Sequence, residues 1–290
     1  MDLRSHSRLY FHQRGLPQLS QALTAEVGAL MRKASEIAIL PRWRQLAAHE
    51  VEAKHAGGML PDVVTIADEE AEKILTDGLG LILPEATVIG EEAAYADPSL
   101  LDRLNDKLCW IVDPLDGTNN FAAGKRPFGI MVALVERGET IAGWIYDPLI
   151  ERICHACLGG GAFIDDQRIA AQPTGSQPPV AANSLVYMES QRREAVRSAV
   201  EPHYVLVDIP RCAAEQYPRL VLGENDVAIF ERTLPWDHAA GALFVNEAGG
   251  KVARPDGTPY RVSEHRRSGL IGAADERLWE QLAALLPPHP

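Results

Sequence analysis

Asp113 and Asp116 sit three residues apart in the segment Trp110-Ile111-Val112-Asp113-Pro114-Leu115-Asp116-Gly117-Thr118. An apolar run that reads as a buried strand delivers Asp113 at its end, Pro114 stiffens the exit, and Gly117 permits a tight turn, so the two carboxylates are held close. Two such charges at ~4 Å repel by roughly 4 kcal/mol at an effective dielectric of about 20, and a cation between them removes that cost. A hard divalent ion, Mg²⁺ above all, suits oxygen donors of this kind. A D-x-x-D-G segment also serves as a plain strand-end turn, and the pair alone does not separate the readings. Two further acidic sites shift the balance. Glu91 and Glu92 follow the apolar Val88-Ile89-Gly90, and Asp237 follows Leu234-Pro235-Trp236 ahead of a run of small residues. Taken singly, these are a solvated glutamate pair and a helix cap.

The elements that must position these groups divide the chain. Residues 18–54 read as helix, with Leu23, Val27, Leu30, Met31, Ala34 and Ile37 at three-to-four spacing and Pro41 as a kink, before Gly57-Gly58 and Pro61 break it. A second helix is expected to start at Asp68, where acidic residues suit the dipole, and to end at Gly78 and Gly80. Short β runs follow at 86–90, 108–113, 129–136, 140–146 and 152–156. Strands at 184–187, 204–207, 227–230 and 269–272 then alternate with helices at 191–200, 212–222, 237–248 and 275–285, an α/β pattern. Proline and glycine cluster near 172–180, the expected boundary between an α+β half (16–175) and an α/β half (176–290), with residues 1–15 set apart as an N-terminal extension.

Length and composition suit a chain with a large core, 290 residues of which 46% are hydrophobic. A net charge of −12 disfavours nucleic acid and anionic membranes unless basic groups gather locally, and no basic segment stands out. Neither a long apolar span nor a signal-like start is present, which points to the cytoplasm, as do four scattered cysteines. Cys154-His155-Ala156-Cys157 has C-x-x-C spacing, but on a strand its two thiols face opposite sides and no second pair completes a zinc site.

Asp-Pro-Leu-Asp-Gly-Thr (113–118), Gly-Glu-Glu (90–92), Trp-Asp-His-Ala-Ala-Gly (236–241) and the upstream Asp62-Val63-Val64-Thr65-Ile66-Ala67-Asp68 together resemble the inositol monophosphatase family of metal-dependent phosphatases, from about Ala34 to Gly250. The resemblance implies a five-layered α-β-α-β-α sandwich of the inositol monophosphatase and fructose-1,6-bisphosphatase type. It implies Mg²⁺, two to three ions, with Glu91, Asp113 and the Leu115 carbonyl on one and Asp113, Asp116 and Asp237 on the next. Asp68 and Thr118 would orient and deprotonate the attacking water, with Glu91 also among the catalytic groups. Gly117 and Thr118 would receive the phosphate on their N–H groups, beside Asp116. Lithium sensitivity and a homodimer are implied as well. The chemistry implied is hydrolysis of a small, soluble phosphate monoester such as an inositol monophosphate.

The substrate side departs from the family pattern. Aligned without gaps back from Asp237, the family's small pair falls on Ala213-Ala214 and its hydroxyl-binding acid on Phe230, which cannot accept a hydrogen bond. A one-residue slip brings in Glu231 but turns it to the other face of the strand. Arg211 is placed either to reach a second anionic group or to lie exposed. The stretches around 215–219 and 232–237 resemble a bacterial branch with histidinol-phosphatase-like members, so histidinol phosphate and 3'(2'),5'-bisphosphonucleotides stand as alternatives, as does a regulatory or RNA-associated role without catalysis. His238, one residue beyond Asp237 on a helix, is expected to face away from the chemistry. Lys54 is the nearest counterpart of a lysine that the family carries in a mobile loop.

Overall fold

The computed structural model describes residues 21–54 and 62–288; the N-terminal extension, the helix start at Gln18 and the breaks at Gly57-Gly58 and Pro61 lie outside the described residues. Helix α1 (Gln21–Ala34) buries Leu23, Val27, Met31 and Ala34. Helical backbone then continues through a π turn and a 3₁₀ turn only as far as Arg42. The π turn shifts the phase of the helix, so Ile37, expected on the apolar face, is 51% exposed while Ala38 and Ile39 are buried. Pro41 in the last turn has no N–H to donate to the carbonyl of Ile37, which weakens the helix at this point. The helix expected through Lys54 is thus corrected: Val51–Lys54 is strand β1, antiparallel to β2 (Asp62–Thr65).

Helix α2 (Ile66–Ile82) begins two residues before Asp68, because Thr65 and Asp68 form a capping box: Thr65 Oγ1 accepts from Ala67 N at 3.2 Å, and Asp68 Oδ2 accepts from Thr65 N at 2.8 Å. It runs past Gly78 and Gly80, expected as its end, since Leu75 and Leu79 are buried and hold the last turns in place.

Strands β3 (Thr87–Gly90), β4 (Cys109–Asp116), β5 (Gly129–Glu136), β6 (Glu139–Asp147), β7 (Arg152–Cys157), β8 (Gly161–Ile164) and β9 (Gln167–Ile169) lie in sequence order in one sheet. Only β3 and β4 run parallel; the other pairs are antiparallel. Short helices α3 (Glu91–Ala96) and α4 (Thr118–Ala122) leave the ends of β3 and β4. A second sheet is built from β10 (Val180–Asn183), β11 (Val205–Asp208), β12 (Val227–Phe230), β13 (Lys251–Ala253) and β14 (Leu270–Ala273), in the order β11-β10-β12-β14-β13. Helices α5 (Ser190–Val200), α6 (Ala213–Val221), α7 (Pro235–Glu247) and α8 (Glu276–Leu285) belong to this half. The strand expected at 184–187 is corrected: the strand, β10, lies four residues earlier at Val180–Asn183, and Leu185–Tyr187 is a 3₁₀ turn. Strands β8, β9 and β13 are too short to have left a periodic signal.

Alternation along the strands sets the layers. In β4 and β5, Trp110, Val112, Ile130, Val132 and Leu134 pack with α1 and α2, while Cys109, Ile111, Met131, Ala133 and Val135 pack with α6 and α7. In the second sheet Ala182, Ala228 and Phe230 also face α6 and α7, whereas Ala181, Val227 and Ile229 pack with α5 and α8. The order is therefore helix, sheet, helix, sheet, helix, the five layers expected. Burial on both faces explains why β4 and β5 read as unbroken apolar runs.

Asp226, buried beside β12, ties the connection between the sheets down. It accepts from Thr174 N at 2.8 Å, from Thr174 Oγ1 at 2.5 Å and from Val180 N at 2.7 Å. The C-x-x-C pair does not bridge; burial pushes the thiols of Cys154 and Cys157 up to about 12, so both stay protonated. No helix of the described residues is long and apolar enough to cross a membrane. Asp226→Ala strips three donors of a charged acceptor and is expected to cost about 2–4 kcal/mol, read as a lower urea midpoint at unchanged slope; a midpoint within error of the parent removes the linker from the stability argument.

Candidate functional site

Asp113 and Asp116 leave β4 at a register shift: Asp113 pairs with Met131 and Asp116 with Gly129, three steps against two. In a regular strand residues three apart point to opposite faces; the extra residue at Pro114-Leu115 re-aims Asp116 to the side of Asp113. Asp113 is 2% exposed, and its Oδ1 accepts from Leu115 N at 3.1 Å. Asp116 Oδ2 accepts from Ala214 N, at the start of α6, at 2.6 Å. Asp237 comes from the first turn of α7, begun by Pro235. Carboxylate oxygens of these three residues lie within 4.8 Å of one another. Three anions that close repel unless protonated or joined by a cation.

The second flank is built by two glycine-dependent approaches. Gly117, with φ 84°, turns the chain into α4, and any Cβ there would lie 2.9 Å from the Pro127 carbonyl. Gly90 has no room for a Cβ because the carboxylate of Glu72 lies over it, 2.2 Å from where that atom would be. From there Glu72 accepts from Glu92 N at 2.8 Å and Ala93 N at 2.9 Å, capping α3 and fixing Glu91 at its start. Lys54, at the end of β1, donates to Glu91 Oε1 at 2.8 Å and to Glu92 Oε1 at 2.7 Å, and its side chain is 4% exposed. Burial works against the ammonium, yet the two glutamates hold its pKa above the ordinary lysine range.

Thr118 Oγ1 lies 2.9 Å from Asp68 Oδ1 and 2.9 Å from the Leu115 carbonyl. Its single proton serves one acceptor at a time, and a protonated Asp68 donates to Thr118 in turn. Asp68 Oδ2 is held by Thr65 N and, at 2.6 Å, by Thr65 Oγ1.

Glu91, Asp113, Leu115, Asp116, Gly117 and Thr118 line one cavity of about 210 Å³, and Arg211, Ala213, Phe230 and Asp237 close its other side. Asp68 stands behind Thr118. Glu231 does not line the cavity and forms an ion pair with Arg192 at 3.3 Å. His238 borders the cavity, but its Nδ1 accepts from Tyr217 Oη at 2.6 Å and its Nε2 donates to the Arg232 carbonyl at 2.9 Å. Burial lowers it to about 3, so it is neutral and already committed to the packing of α6 on α7. Glu72 is not among the residues that the motifs single out, although its spacing of four from Asp68 on one helix sets both on the buried face, with Glu69 and Glu70 outside.

The family profile of the inositol monophosphatase family matches residues 18–289, beyond the 34–250 span of the motifs at both ends. An inositol-1-monophosphatase of Bacillus subtilis is 31% identical over 210 residues, 70% of this chain and 77% of that protein. A Nus factor SuhB of Vibrio cholerae is 34% identical over 221 residues, 74% of this chain and 79% of that protein. The crystal structure of extragenic suppressor protein SuhB from Bartonella henselae superposes with a TM-score of 0.75 at 24% identity, covering 93% of this chain and all of that one. The chain belongs to the inositol monophosphatase family. Its class of enzyme is a phosphoric monoester hydrolase.

Burial pushes Asp68 up to about 7 and Asp116 up to about 6; Asp113 is raised well above the carboxylate range by burial and by the charges of Glu91, Asp116 and Asp237. Carboxyls raised in the fold are favoured protonated there. Their contribution to stability is complete below ~4 and is lost as pH rises through the raised values. With EDTA the melting temperature is therefore expected to fall between pH 5 and pH 8, and millimolar Mg²⁺ to recover most of the loss at pH 8. Scanning fluorimetry with and without Mg²⁺ measures this, and a melting temperature at pH 8 indifferent to Mg²⁺ counts against a cation site.

Proposed function

We propose that the protein hydrolyses a small phosphate monoester using Mg²⁺ held by Asp113, Asp116 and Asp237, with Glu91 and the Leu115 carbonyl completing the donor set. The observation that carries this reading is the convergence of three carboxylates within 4.8 Å beside the Asp68 and Thr118 pair. The donors are all oxygen and mostly anionic, which suits a hard divalent ion, and the charge they concentrate is costly without one. When bound, the ion supplies positive charge against the roughly two negative charges of a phosphate monoester and lowers the pKa of the attacking water.

The chain's own groups handle the proton and the alignment. Thr118 Oγ1 takes a proton from the attacking water as its own passes to Asp68 Oδ1, 2.9 Å away. An acceptor raised to about 7 is matched to neutral pH, and Thr65 fixes its orientation through the second oxygen. Gly117 and Thr118 present backbone N–H groups toward the phosphate. Phe230 on the cavity wall, with Glu231 tied to Arg192, supports a substrate other than one bound through a ring hydroxyl at that position. Histidinol phosphate and 3'(2'),5'-bisphosphonucleotides are the alternatives to inositol phosphate.

A regulatory reading without chemistry is supported by the Nus factor designation of relatives such as that of V. cholerae. The buried acidic cluster speaks for hydrolysis, because a purely structural scaffold gains nothing from concentrating like charges.

Asp113→Asn is expected to lower kcat/KM by about 10²–10³-fold, and Thr118→Val by about 10²-fold or more, with fold retained. Phosphate release with and without Mg²⁺ from inositol phosphate, histidinol phosphate, fructose 1,6-bisphosphate and adenosine 3',5'-bisphosphate checks it. Absence of Mg²⁺-dependent release from the whole set sinks the reading.

A further inference from the structure

On a chain with 28 basic and 40 acidic residues, several arginines around the α5 to α7 layers have carboxylate partners: Arg192 with Glu231, and Arg152 and Arg219 with Glu215. Three do not. Arg193 and Arg197, one turn apart on α5, and Arg211, on the loop entering α6, line a second cavity of about 190 Å³. Asp208, the one carboxylate on its wall, makes no ion pair with them among the described residues. Arg193 Nη2 is held by the carbonyls of Met188 at 2.9 Å and Val186 at 3.4 Å, and its buried Nε has no partner. Arg197 is exposed and makes no ion pair among the described residues. Three guanidinium groups lining one cavity, ion-paired with no acid among the described residues, suit an oxyanion.

Position connects the two. Ile209 and Arg211 line both cavities. The loop that carries them is anchored to the acidic side: Asn120 Nδ2 donates to the Pro210 carbonyl at 3.0 Å and the Arg211 carbonyl at 3.5 Å, and Asp116 receives Ala214 N. Arg211, with φ 54°, turns the chain at this corner.

We infer that the substrate carries, besides the phosphate to be removed, a second oxyanion group that sits among Arg193, Arg197 and Arg211. This rests on the phosphatase reading and narrows it to doubly anionic small molecules, bisphosphates or phosphate esters with a carboxylate. A contact of this kind is the same in ground and transition states, so it acts on KM more than on kcat.

The test compares matched pairs with Mg²⁺: adenosine 3',5'-bisphosphate against adenosine 3'-monophosphate, fructose 1,6-bisphosphate against fructose 1-phosphate, and 3-phosphoglycerate against glycerol 3-phosphate. In at least one pair kcat/KM is about tenfold or more higher for the doubly anionic member, mainly through KM. The pair that responds distinguishes phosphate from carboxylate. Arg197→Glu brings that ratio close to one, while Arg197→Lys keeps most of it; circular dichroism confirms that both are folded. Equal or better turnover of the singly anionic member in every pair, or a ratio that survives Arg197→Glu, overturns the inference and leaves the phosphatase reading intact. Failure to hydrolyse any member with Mg²⁺ removes both.

Discussion

Like charges brought together away from water are the constraint around which this molecule is arranged. Asp113, Asp116 and Asp237 come from a strand end and a helix start that are 124 positions apart at the extremes, in a chain whose layers converge at that point. The convergence needs three unrelated devices: the register shift in β4, the proline-begun first turn of α7, and the N-terminus of α6 that meets Asp116. Only the last of these stabilises a charge, that of Asp116, through the Ala214 N–H; the other two do nothing about the repulsion. They hold the carboxylates in spite of it, and the central helix layer, packed between two sheets, supplies the rigidity that this takes.

The flanks show how the fold settles the remaining charges. Glu72 is used as a cap, its negative charge placed where the helix dipole of α3 welcomes it. Asp68 is satisfied by Thr65 and left with one oxygen for Thr118. His238 is withdrawn from titration by burial and by two hydrogen bonds. Groups of similar type a few residues apart thus have different fates, decided by what the backbone offers them.

Much of the site was legible because the local chemistry is local in sequence. Asp113, Asp116, Gly117 and Thr118 form one turn, and a long apolar strand before them announces burial on both faces. Asp237 and Glu91 each follow an apolar run that fixes where they emerge. What could not be read depends on contacts between distant segments. The bulge that aligns Asp116 with Asp113 is visible only against β5, and the capping by Glu72 only against Gly90. Arg193, Arg197 and Arg211 leave no basic segment to notice, since a helix face and a separate loop must meet before they become neighbours. The helix wrongly continued to Lys54 failed for the same reason: β1 exists through its pairing with β2, while its four residues carry no alternation that outweighs the helical spacing before Pro41.

Lys54 gives the acidic pocket a property that a set of carboxylates alone would lack. An ammonium on a four-carbon stem, fixed to a strand, is a competitor that dilution and chelators cannot remove. Its charge stands against those of Glu91 and Glu92 whatever the concentration of dissolved ions. The tethered amine therefore gives this flank of the pocket a counter-ion set by the chain itself rather than by the salts around it.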